Sequence, residues 1–90
     1  MTLAHAVKAF DQWSYPWKFE SSVRARLLEY PQELKVFDNI MTEVGKPDHW
    51  LRGDLVLGCK IAHAAAKARF PEIDDAVIES AVRAVSYSWR

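Results

Sequence analysis

Ninety residues, half of them apolar, suffice for one small core and leave no room for a second independent domain. Twelve Lys and Arg balance twelve Asp and Glu, so no net field draws the whole molecule onto nucleic acid or an anionic membrane, and any such contact has to come from a local patch. The single cysteine, Cys59, excludes an internal disulfide; Lys60, Lys67 and Arg69 interrupt the best candidate for a ~20-residue membrane span; and the N-terminus lacks signal-peptide character, so a cytoplasmic location is expected.

The opening MTLAHAVKAFDQW places Leu3, Val7 and Phe10 at i, i+4 and i+7 with Thr2 available as N-cap, which predicts a short amphipathic helix. In SYPWKFES, Pro16 disfavours helix at Tyr15 and three aromatics, Tyr15, Trp17 and Phe19, crowd together. The stretch reads as an ordered connection pinned by its rings. A second helix is expected from Ser21 or Ser22 under a serine cap, with Val23, Leu27 and Tyr30 (or Leu28) inward and Arg24 and Arg26 outward, until Pro31 stops it.

Pro31 then suits the first position of a third helix, PQELKVFDNIMTEVG, whose stripe is Leu34, Phe37, Met41 and Val44 and whose stop is Gly45. KPDHW makes a corner, and either Asp48 or the pair Gly53 and Asp54 opens the fourth helix, which runs to Phe70 before Pro71. The last helix has Ile73, Asp74 and Asp75 at its start, where negative charge suits the helix dipole. Its stripe is Ile78, Val82, Val85 and Trp89, with Val77 and Ala81 beside it. Strand-like alternation and hairpin signals are absent, so the sequence predicts an all-α fold, a compact bundle of four to five short helices forming one domain over residues 1–90.

The fourth helix is apolar around much of its circumference. Trp50, Leu57, Ile61, Ala64 and Ala68 define one face, and Leu51, Leu55, Gly58, Ala62 and Ala65 or Ala66 define another. Two stripes imply a central place in the fold or a contact with another subunit, and small residues at Gly58, Ala62 and Ala66 let another backbone approach closely. Leu55, Gly58, Ala62 and Ala66 are therefore candidates for a subunit or partner interface, with homo-oligomerisation expected. Trp13, Trp17 and Trp50 read as core or corner residues, whereas the penultimate Trp89 is a candidate exposed docking anchor.

Chemistry-bearing constellations are sparse. Cys59 and His63 stand at i, i+4 but lack a matching second pair, so a buried thiol beside a surface imidazole is the reading, and neither metal nor cofactor is expected. His49 beside Asp48 fits the start of a helix, Ser21 and Ser22 fit caps, and Asp74 with Asp75 fits a dipole-compensating first turn. With no glycine-rich phosphate loop either, an enzyme is not expected. Lys60, His63 and Lys67 share a helical face near Arg69, and Lys18, Arg24 and Arg26 cluster near Trp17. A solvated charged face explains both groups; phosphate contact is the functional alternative, which makes those six Lys and Arg residues the DNA-binding candidates.

The segment VFDNIMTEVGKPDHWLRGDLVLGCKIAHAAAKARF, residues 36–70, resembles the core of phage small terminase subunits of the tailed, cohesive-end type. Phe37, Asp38, Asn39 and Ile40 match an aromatic-led helix, Trp50 the corner, Asp54 and Leu55 the next helix start, and Ile61 to Ala65 its alanine-rich run. The resemblance implies a ring-forming, non-enzymatic adaptor that binds double-stranded viral DNA and stimulates the large terminase subunit, with the alanine-rich helix facing neighbouring subunits. The alternative is a small helical module that binds and modulates one host or viral protein.

Overall fold

Five α-helices and three single 3-10 turns account for the ordered elements of the computed structural model, which describes residues 2–51 and 53–89; no strand occurs among them. The α-helices are α1 (Leu3–Lys8), α2 (Phe19–Arg26), α3 (Pro31–Val44), α4 (Leu55–Arg69) and α5 (Asp75–Ser86). The turns are Pro16–Lys18, Pro47–His49 and Tyr87–Trp89. The all-α expectation therefore holds at the upper end of its helix count.

Local chemistry explains most boundaries. The Thr2 side chain accepts the His5 N–H at 3.2 Å, and Asp54 Oδ1 accepts the N–H groups of Val56 and Leu57 at 3.0 and 3.1 Å. Asp74 Oδ1 accepts from Ala76 at 2.9 Å, a bond that, together with nearby Lys8, holds its carboxyl below the ordinary range. Each such cap stabilises a helix start by about 1 kcal/mol. Asp54, not Asp48, is thus the residue that opens α4, and Gly53 before it takes a φ of 73°, a left-handed conformation that suits glycine. Pro31 is the first residue of α3, and Gly45 follows its last.

The serine-cap expectation for α2 is corrected. The turn at Pro16–Lys18 runs directly into α2 at Phe19, so Ser21 and Ser22 lie inside the helix, and the Ser21 hydroxyl donates back to the Lys18 carbonyl at 3.2 Å. The helix also closes early, at Arg26. Val23 and Leu27 are fully buried as expected, but Leu28 and Tyr30 fall in the following turn and are exposed.

Packing places α5 at the centre, against α1, α3 and α4. Val77, Ile78, Ala81 and Val82 supply its buried face. The centre of the bundle is therefore α5, although α4 has the broader apolar circumference. An aromatic cluster ties the N-terminal elements to α3: Phe10 meets Trp13 and Phe19 edge-on at 5.0 and 5.3 Å, Trp13 stacks on Phe19 at 5.5 Å, and Phe19 lies 6.0 Å from Phe37. Such ring pairs add about 0.5–1.5 kcal/mol each beyond their burial. The Arg83 guanidinium covers the Trp13 ring at 4.1 Å and so couples α5 to the same cluster. No helix among the described residues is long and apolar enough to cross a membrane.

Candidate interaction face and cleft

The small-residue line of α4 lies inside the protein. Gly58, Ala62 and Ala66 are buried, and Leu55 is half-buried against the core. Gly58 has a specific reason for being glycine: a Cβ there would sit 2.6 Å from the Trp50 ring and 3.2 Å from the His49 carbonyl. Trp50 occupies that space because its indole N–H donates to the Val44 carbonyl at 2.9 Å, which locks the corner between α3 and α4. Of the interface candidates, Gly58, Ala62 and Ala66 make their contacts within the chain, and Leu55 is partly covered there.

The other stripe divides: Trp50, which the sequence set on it, is buried over Gly58, and the rest is less covered. Leu57 and Ile61 are only half-buried and do not pack against the core, while Ala64 and Ala68 are exposed. Their spacing of i, i+4, i+7 and i+11 sets them along one side of α4. Val56, 66% exposed, adjoins the first turn of this face, and Leu51, also exposed, precedes the helix. The sequence displays this stripe, but it does not say which of two apolar faces the core will claim.

Trp89, the remaining interface candidate, is 41% exposed. Its indole lies parallel to that of Trp50, with centroids 6.3 Å apart and an interplanar angle of 7°. It borders a groove of about 480 Å³ between α2, α3 and the C-terminal turn, where Met41 and Val85 are apolar neighbours. The exposed Trp17 belongs to the first 3-10 turn, which touches the Tyr87–Trp89 turn.

The basic candidates divide by partner. Arg24 pairs with Asp38 of α3. Lys67 Nζ donates to the Ile73 carbonyl at 2.8 Å and lies 3.0 Å from Asp75, which fastens the end of α4 to the start of α5. Arg69 Nη1 donates to Glu43 Oε1 at 3.2 Å. Lys18, Arg26 and Lys60 form no ion pair with a carboxylate among the described residues; Lys18 instead covers the Tyr15 ring at 4.9 Å. The α2 and α4 groups stand on helices that are not packed extensively together, so they do not merge into one basic surface.

Glu43 is the buried charge that the sequence reading missed. Only 8% of its side chain is exposed, and it gathers three donors: Lys46 at 3.2 Å, Arg69 at 3.2 Å and His49 Nε2 at 3.1 Å. Burial alone raises its pKa, but the hydrogen bonds from His49, Arg69 and Lys46 outweigh that and hold the carboxyl below the ordinary range. Its place three residues after Ile40, on the buried side of α3, was the available signal. His49 is thus engaged with Glu43 and joins the corner to α3.

A second concavity, of about 510 Å³, opens between α4 and α5. Cys59, Lys60 and His63 supply the α4 wall. Glu79, Val82 and Arg83 line the facing side on α5. No group of three His, Cys, Asp or Glu residues suited to a metal occurs among the described residues, so Cys59 and His63 are not joined there by a third ligand. A scan against protein-family models, a search of curated proteins and a search of solved structures each return no match.

Proposed function

We propose that this protein is a non-enzymatic helical interaction module that receives a helix of a partner protein along the outer side of α4. The observation that carries this reading is the stripe Leu57, Ile61, Ala64 and Ala68, in which the two alanines are exposed and the two larger side chains, half-buried, lie outside the core cluster. A helix on the surface of a monomer needs only one inward stripe, and α4 already satisfies that need with Gly58, Ala62 and Ala66. Alanines at positions 64 and 68 leave room for a second helix axis at about 8–10 Å, and Leu57 and Ile61 supply the larger apolar contacts. Site-specific photocrosslinking in cells tests it. A photoreactive residue at Ile61 or Ala64 is expected to join a defined second chain, and one at Lys35 is not; equal or absent crosslinking at all three positions overturns the reading.

A second reading follows from the resemblance of residues 36–70: a packaging adaptor whose α4 faces a copy of itself in a ring and which contacts double-stranded DNA and the large terminase subunit. Its support is that the partly exposed stripe falls within that segment and that Lys18, Arg26 and Lys60 remain unpaired by carboxylates among the described residues. Repetition around a ring multiplies a modest basic patch. Light scattering is expected to give a multimeric mass, with salt-sensitive DNA binding lost in the Lys18, Arg24, Arg26 triple alanine variant. A monomer at high concentration with no DNA binding excludes it.

A further inference from the structure

The cleft between α4 and α5 contains charged groups that the fold does not consume. Lys60 on α4 and Glu79 on α5 are exposed, and neither forms an ion pair among the described residues. Arg83, one helical turn beyond Glu79, is held over the Trp13 ring at 4.1 Å instead of bonding to that carboxylate. Stacking engages the face of a guanidinium and leaves the N–H donors at its edge available. Two cations, one on each wall, therefore accompany one anion around a single concavity.

Deeper in, the character changes. Val82 is 5% exposed, and the half-buried Cys59 packs against the core. His63 also lines the cleft, yet its Nε2 is sealed from solvent without a hydrogen-bond partner among the described residues. A buried polar atom in that state is uncommon in a folded protein. The volume, about 510 Å³, lies within the range of small-molecule sites.

We propose that this cleft binds a small zwitterion with an apolar side chain, of the free amino-acid class. Its carboxylate meets Lys60 and Arg83, its ammonium meets Glu79, and its side chain lies against Val82 and Cys59. A simple carboxylate leaves Glu79 opposed to it, and a simple amine leaves two cations opposed to it; only a ligand carrying both charges answers the whole rim. This site is separate from the outer stripe of α4 and does not rest on the partner-helix reading.

Titration of the full chain with L-leucine, L-leucinamide, 4-methylpentanoate and glycine, followed by amide chemical shifts, tests the proposal. Leucine is expected to shift amides around Cys59–His63 and Glu79–Ser86. Leucinamide, without the carboxylate, and 4-methylpentanoate, without the ammonium, are expected to bind about two- to fivefold more weakly, the range that one exposed charge pair supplies. Lys60→Met reduces the preference over leucinamide, because Arg83 remains, and Glu79→Gln removes the preference over 4-methylpentanoate. Both side chains are exposed, and circular dichroism checks that the variants fold. Absence of cleft shifts with every probe, equal binding of leucine and its two analogues, or glycine binding as well as leucine overturns the proposal.

Discussion

Two proline-led 3-10 turns, Pro16–Lys18 and Pro47–His49, each present a tryptophan, and the two indoles end in opposite surroundings: Trp17 is 72% exposed and Trp50 is 6% exposed. Both corners contain a proline and a nearby cation, so local sequence does not separate them. What separates them is what stands opposite. Trp50 has a carbonyl for its N–H at Val44 and an open space over Gly58 for its ring, whereas Trp17 meets the Tyr15 ring edge-on at 5.5 Å and otherwise stays mostly exposed. Burying an indole requires both a polar partner and a shaped space, and the fold provides these at one corner.

The largest break in this comparison is Trp50→Ala, which empties the space between the corner and α4. A loss of about 3–5 kcal/mol is expected in denaturant unfolding, as for other large aromatic truncations in cores. Next comes Gly58→Ala, which keeps the indole but fills its space. The added methyl brings about 0.5–1 kcal/mol of helix propensity, yet the overlap with a ring that is itself hydrogen-bonded outweighs it, and a net loss of about 1–2 kcal/mol is expected by the same measurement. A more stable Gly58→Ala variant shows that the Trp50 corner yields easily.

A smaller effect is expected from acid at the same corner. The carboxyl of Glu43 titrates below its ordinary 4.5 in the folded protein, so the unfolded chain binds that proton more readily. The stability it contributes is complete above about pH 4.5 and declines as pH falls through the lowered folded value. Thermal unfolding across that acidic range is expected to show a shallower pH dependence in Glu43→Gln; the part due to Asp74, whose carboxyl is also lowered, persists. The smallest effect belongs to Trp17→Ala, expected within about 0.5 kcal/mol of the parent because the side chain is mostly in water. A large loss there would place Trp17 in a contact that its exposure does not reveal.

Much of the helical layout is legible without coordinates. Pro31, Gly45, Asp54, Pro71 and Asp74 act through their own backbone or the next few residues, and each boundary they mark is observed at or beside them. Ser21 and Ser22 mislead because the Pro16–Lys18 turn already supplies the start of α2, so the helix needs no serine cap. The candidate surfaces are less legible. Arg24, Lys67 and Arg69 read as open cations, but Asp38, Asp75 and Glu43 approach them only after the helices pack. These ion pairs join positions 14, 8 and 26 apart along the chain, over which periodicity is silent.

The sequence by itself determined an all-α chain, most of its stops and caps, and the presence of two apolar stripes on the helix from Leu55 to Arg69. The tertiary structure alone decided that Gly58, Ala62 and Ala66 turn inward while Leu57 and Ile61 stay half-buried and Ala64 and Ala68 exposed. The reason is steric. Apolar periodicity records that a face prefers to leave water, whereas the choice between two such faces depends on which one has small enough side chains to admit the Trp50 ring and α5 at close range.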